Sequence, residues 1–229
     1  LKTLFLQVYY LLYKDLVIEW RQRVRIHAQV FLGLLVLLVI SFAAGAENRQ
    51  FKMVAPAFVW LTLLFSSISS LHESFLYEQQ YDALNGLLLI PIQKSALFLS
   101  KALQNALFLC VLAVVLWPLT AVLFDIAWLQ SWILLFITAV LGCFAISAPG
   151  TLLAGMTHTL KNKDVLLPLI LYPLLIPVLI ATIKSTTLLL SADLMQDALS
   201  WIQLLIAFNL IYWLMGTCLF AFVLNETST

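Results

Sequence analysis

Metal ligation, haem ligation, nucleophilic catalysis and phosphate binding each require particular residue types at particular spacings. The 229-residue chain supplies few of them. Its three histidines, His27, His72 and His158, are far apart in sequence, form no HExxH and have no neighbouring cysteine ligand. Histidine is a common axial ligand of haem, but all three fall near the same ends of long apolar runs, where a span-end role accounts for them. Met53 and Met195 are the sulfur ligands at the opposite ends, and a plain interfacial role suffices for both. Cys110, Cys143 and Cys218 lie inside apolar runs without a CxxC and read as small hydrophobes. A phosphate-cradling loop needs GxxxxGK[ST], and none of the seven glycines precedes a lysine. No catalytic, cofactor-binding or metal-ligating residue is therefore expected here, and any ATP-driven work requires a nucleotide-binding partner chain.

The polar residues that remain fall in two places. Lys101, Gln104 and Asn105 open a long apolar run, and ionisable or amide groups at such positions are functional candidates by default. Lys101 is close enough to the end of its run for its ammonium to snorkel to water. The second place is the stretch from Glu73 to Lys94. Glu73, Glu78 and Asp82 are spaced five and four apart, and Leu84, Leu87 and Leu88 form an i, i+3, i+4 apolar patch before Pro91 ends or kinks the helix. Such a helix offers an apolar knob with acidic flanks, to its own bundle or to a partner protein.

The elements that must position these groups are set by lipid. Of the residues, 63% are hydrophobic and 10% charged, and the mean hydropathy is +1.04, against about 45–50% and about 25% in soluble domains. A span takes about 20 apolar residues, and apolar runs bounded by charge give six, near 27–45, 54–72, 102–124, 131–157, 165–183 and 200–224. The remainder is spread too thinly for a separate soluble domain, so residues 1–229 form one transmembrane domain. A net charge of +1 offers nothing to nucleic acid. With the N-terminus inside, nine of the twelve Lys and Arg residues face the cytoplasm, leaving Arg49, Lys52 and Lys184 outside. Both termini and the segments 73–95 and 158–164 are then cytoplasmic. No cleavable signal peptide is expected, because the first long run has span length and no A-x-A-like exit.

Segment 1–26 is neither span nor soluble tail. At about 100° per residue, Gln7, Lys14, Arg21 and Arg25 fall within roughly 40° of one another, with apolar residues over most of the rest, the pattern of an amphipathic interfacial elbow helix. Ser66, Ser67, Ser69 and Ser70 allow close helix approach, within one subunit or at a seam between two copies. Pro168, Pro173 and Pro177 free the carbonyls of Asp164, Leu169 and Pro173, giving a tolerated kink or an element that moves. Pro149-Gly150 poses the same alternative. Segment 184–200 reads as a short apolar excursion and helix in the outer interface.

Four segments in order, Asp15-Leu-Val-Ile-Glu-Trp-Arg21, Val54-Ala-Pro-Ala-Phe-Val-Trp60, Leu84-Asn-Gly-Leu-Leu-Leu-Ile-Pro91 with Ser100-Lys-Ala-Leu103, and Leu160-Lys-Asn-Lys-Asp-Val-Leu-Leu167 with Tyr172-Pro-Leu-Leu-Ile-Pro-Val-Leu-Ile180, together resemble the heme exporter B family. This is the ABC-2 type permease of the bacterial and organellar cytochrome c maturation system. The resemblance covers roughly residues 10–183 and beyond that rests on hydropathy. It implies an all-α integral membrane protein of six transmembrane helices preceded by the elbow, in the bacterial inner membrane. It also implies a non-catalytic subunit working with a second copy of itself, a cytoplasmic ABC ATPase that binds the ATP, a haem-handling membrane protein, a further small membrane protein and a periplasmic haem chaperone. Haem is then handled by the complex. Contact with the ATPase falls to Glu78, Asp82, Leu84, Leu87, Leu88 and Pro91. Tyr81-Asp-Ala-Leu-Asn-Gly86 stands where the family usually has an Asp-Gly-Ser-Leu-Glu-Gln-like run, which leaves the leucines as the matching part. An ABC-2 permease for a lipid-linked or polysaccharide substrate, and a non-transporting scaffold for haem-handling subunits, are the alternatives.

The charge bias predicts that single cysteines at Asn48 and Gln130, in a cysteine-free background, react with an impermeant thiol reagent from the periplasm while one at Asn162 does not. Labelling of Asn162 from outside reverses the orientation.

Overall fold

The computed structural model describes residues 2–21, 23–44, 49–80, 93–125, 132–157, 163–191 and 195–226. Among the described residues all regular structure is helical: α1 (Lys2–Arg21), α2 (Arg23–Ala44), α3 (Arg49–Gln80), α4 (Lys94–Leu123), α5 (Trp132–Thr157), α6 (Lys163–Ser191) and α7 (Met195–Glu226). Five of these helices contain stretches long and apolar enough to cross a membrane, in α3 to α7, and the bent pair α1–α2 makes a sixth only if its two helices are counted as one span. Leu4–Arg21 and Ile26–Phe42 meet at 68°, so the chain turns earlier than the expected elbow boundary at residue 26.

Helix ends depart from the spans read by hydropathy where nothing in the sequence stops a helix. Between residues 57 and 80 there is neither Gly nor Pro, and α3 runs on to Gln80, past the expected end near 72. The same holds from 178 to 191. α6 therefore continues through Lys184 to Ser191, and α7 begins at Met195. The described parts of 184–200 are thus the ends of two long helices.

In lipid there is little hydrophobic force between helices, so close packing must hold the bundle. One such contact is built on Trp60 of α3, which is fully buried. Its indole N–H donates to Thr186 Oγ1 on α6 at 3.4 Å, and Trp117 of α4 meets its ring edge-on at 6.4 Å. On α5 the ring lies over Gly142, where a Cβ would collide with Trp60. Gly216 and Gly155 stand in the same relation to Phe98 and Phe220. Leu37, Leu109, Leu112, Ile146, Leu171 and Val178 help to close the core around Trp60. Pro168, Pro173 and Pro177 all lie within α6, which continues through them. Pro173 and Pro177 are exposed on the outer face of the bundle, so the donors they lack are on the side away from the core.

Replacing Gly142 with Leu should lower the thermal unfolding midpoint of the detergent-solubilised protein, since overpacking a filled core costs about 1–3 kcal/mol. Adding Trp60→Ala should recover part of that loss by opening the space the leucine needs. An unchanged midpoint in Gly142→Leu would contradict the packing described.

Candidate functional site

The polar residues of α4 meet partners on three other helices. Gln7 Oε1 of α1 accepts the backbone N–H of Gln93 at 3.2 Å. Asp15 Oδ2 pairs with Lys101 Nζ at 3.2 Å. Gln104 Nε2 donates to Glu19 Oε2 at 3.0 Å. Each of these partners lies 85 or 86 residues beyond its α1 counterpart, so the two helices run parallel and in register over about three turns. Between the polar contacts, Leu11 joins Leu97, Ala102 and Phe220 in one buried apolar cluster.

Asp15, Glu19, Lys101, Gln104 and Asn105 are all at least nine-tenths buried. An ammonium at such a position is tolerated only beside a carboxylate. Lys101 therefore does not snorkel, as its place in the sequence suggests it would: α1 covers it and supplies Asp15 instead. Lys14, 40% exposed, takes the other oxygen of Asp15 at 3.1 Å from the outer side of α1.

Asn105 carries the polar line deeper. Its Nδ2 donates to Ser67 Oγ on α3 at 2.9 Å and to Ser147 Oγ on α5 at 3.3 Å. Ser147 in turn donates to the carbonyl of Ala102 at 2.6 Å. Asn105 Oδ1 is buried without a hydrogen-bond partner among the described residues. Ser66 donates to Gln29 Oε1 on α2 at 2.9 Å. Ser66, Ser67 and Ser70 are buried within the subunit, which settles for these three the choice between internal packing and a seam between copies.

Lys101, Gln104 and Asn105, expected as intramembrane polar candidates, are thus brought together with residues from α1, α3 and α5. Asp15 and Glu19 do not stand out in the sequence as site residues. A signal is present: Leu11, Asp15 and Glu19 follow at i, i+4, i+8 and form a stripe distinct from the basic one. Of the expected ATPase contacts, Glu78 lies on α3 with its side chain outside the described set, and Asp82, Leu84, Leu87, Leu88 and Pro91 lie outside the described residues. Among the histidines, His27 is exposed near the start of α2. No group of three His, Cys, Asp or Glu side chains is placed to hold a metal ion among the described residues.

This architecture defines a multi-pass α-helical membrane protein whose crossings are joined by an internal polar seam. The chain belongs to the CcmB protein family, whose model matches residues 6–226 and so includes α1 at one end and α7 at the other. It is 31% identical over 147 residues to heme exporter protein B of Rhodobacter capsulatus, covering 64% of this chain and 67% of that protein. To heme exporter protein B of Haemophilus influenzae it is 27% identical over 167 residues, 73% of this chain and 75% of that one. The match to the Escherichia coli K12 protein of the same name is 27% over 91 residues, 40% of this chain and 41% of that one.

Removing one member of a buried ion pair costs about 3–5 kcal/mol, whereas replacing both with packed apolar side chains is about neutral. Lys101→Met alone should therefore reduce membrane abundance and the unfolding midpoint, and Asp15→Leu/Lys101→Met should restore both. Equal stability of Lys101→Met and the parent would show that the pair is not buried as described.

Proposed function

We propose that this chain is the membrane permease subunit of an ABC-type complex in the bacterial inner membrane, with both termini cytoplasmic. The complex couples ATP hydrolysis by a separate cytoplasmic ATPase to haem handling and to release of a haem-loaded periplasmic chaperone in c-type cytochrome biogenesis. The family match over residues 6–226 carries this reading, since the relatives it brings are heme exporter B proteins. The sequence fits the division of labour: without GxxxxGK[ST] the chain needs an external motor, and it acts as a non-catalytic subunit. A second copy, the haem-handling membrane protein, the small membrane protein and the chaperone complete the assembly. Haem is the cargo of that assembly and no resident haem is assigned to this chain.

Glu78, Asp82, Leu84, Leu87, Leu88 and Pro91 are the proposed contact with the ATPase. A fully buried leucine contributes about 1.5–3 kcal/mol. Losing half of that at three positions, about 2–4 kcal/mol, weakens association by roughly thirtyfold or more at about 1.4 kcal/mol per decade.

Two strains test the reading together. Deleting the chain should abolish covalent haem in c-type cytochromes, and the parent sequence should restore it. The variant Leu84→Ser/Leu87→Ser/Leu88→Ser should reach normal membrane abundance yet fail to retain the ATPase or restore covalent haem. Normal covalent haem in the deletion strain contradicts the function proposed. ATPase retention by the triple variant at normal abundance contradicts the contact residues alone.

A further inference from the structure

Three polar contacts spaced along one helix pair do more than hold it together. A slip of α1 by one turn toward the start of α4 sets Asp15 against buried Leu97, away from its cation. A slip the other way sets Lys101 against Leu11 and Glu19 against Phe108 or Leu109, all buried apolar residues. Either way a charged group is stranded in an apolar environment, which is costly. A slip toward the start of α4 brings Glu19 to Lys101 but leaves Asp15 on Leu97, so only the observed register pairs Asp15 with Lys101 and Glu19 with Gln104 together.

The pair also has defined connections at each end. Gln93 precedes α4 and makes no side-chain cap of its own. Its N–H is taken by Gln7, so α1 holds the point where the chain enters α4. At the far end of α1 the chain turns by 68° into α2. α2 is in turn fixed to α3 by Gln29 and Ser66, and packs so closely on α4 that a Cβ at Gly33 would lie 2.8 Å from Leu116.

We propose that Asp15, Glu19, Lys101 and Gln104 are positioning residues that lock α1 to the first turns of α4 as one rigid strut. A displacement entering α4 at Gln93 is thereby delivered through α1 to the bend and into α2, instead of being lost as sliding between two helices. This deepens the permease reading and rests on it. The relevant motion is the one driven by the cytoplasmic ATPase.

The test separates positioning from plain stability. Asp15→Leu/Lys101→Met keeps the interface filled but removes the directional pair. In a reconstituted complex with ATPase and haem-loaded chaperone, this variant should hold the ATPase and hydrolyse ATP at the parent rate. Chaperone released per ATP should fall about tenfold, within the range of coupling between contacting residues. In a background lacking Cys110, Cys143 and Cys218, a disulfide between Leu11→Cys and Leu97→Cys, which share one register position, should restore release in that variant and lose the effect on reduction. Parent-level release by the double variant overturns the proposal. The same disulfide in the otherwise unaltered chain serves if the double variant fails to accumulate: unchanged release supports a rigid strut, and lost release shows that α1 must slide on α4 and overturns it. Failure of the parent chain to bind the ATPase at all counts against the proposed function and not against the strut.

Discussion

A lysine ammonium enclosed by protein inside a membrane must have a carboxylate within reach, and that requirement organises the first half of this molecule. Lys101 lies on α4, and its partner Asp15 comes from a helix that hydropathy alone leaves outside the bundle. Once Asp15 is placed there, Glu19 falls opposite Gln104 and Gln7 opposite Gln93, one helical face meeting another. The position of α1 then sets where α2 begins. α2 reaches α3 through Gln29 and Ser66 and meets the far end of α4 where Ser41 Oγ donates to the Leu123 carbonyl at 3.4 Å. Asn105 extends the line to α3 and α5. Polar groups that would each be costly alone in lipid thus pair with one another and fix which helices are neighbours.

Packing does the rest, by matching bulk to absence of bulk. Trp60 over Gly142, Phe98 over Gly216 and Phe220 over Gly155 are close approaches that an added Cβ would block. On α7, Asn209 Nδ2 donates to the Leu141 carbonyl of α5 at 2.9 Å, and Trp213 Nε1 to that of Phe144 at 3.3 Å. These side-chain bonds to a neighbour's backbone set the rotation of α7 against α5, where apolar contact alone would leave it loose.

The five span-length apolar helices α3 to α7 are legible in the sequence because lipid imposes a length and a composition that few other environments require. Helix ends are less so: hydropathy falls at residue 72 and again near 184, but a fall in hydropathy does not itself end a helix, and α3 and α6 meet neither Gly nor Pro there. Lys101, Gln104 and Asn105 stand out as polar residues in an apolar run. Their partners do not, because Asp15 and Glu19 lie more than 80 residues away on a segment whose basic stripe suggests contact with lipid headgroups. Pairing across that distance is a tertiary fact, and the spacing of Leu11, Asp15 and Glu19 hints at a buried face without naming what covers it. The residues proposed to meet the ATPase rest on sequence, from Glu78 to Pro91.

Hydrogen–deuterium exchange of the protein in lipid nanodiscs addresses the placement of α1 most directly. If α1 is held against the first turns of α4 by the buried pair, amides between residues 8 and 19 exchange as slowly as those between 97 and 108. Exchange of the α1 amides within seconds while α4 stays protected would contradict it, leaving α1 as a helix at the membrane surface and Lys101 without its partner.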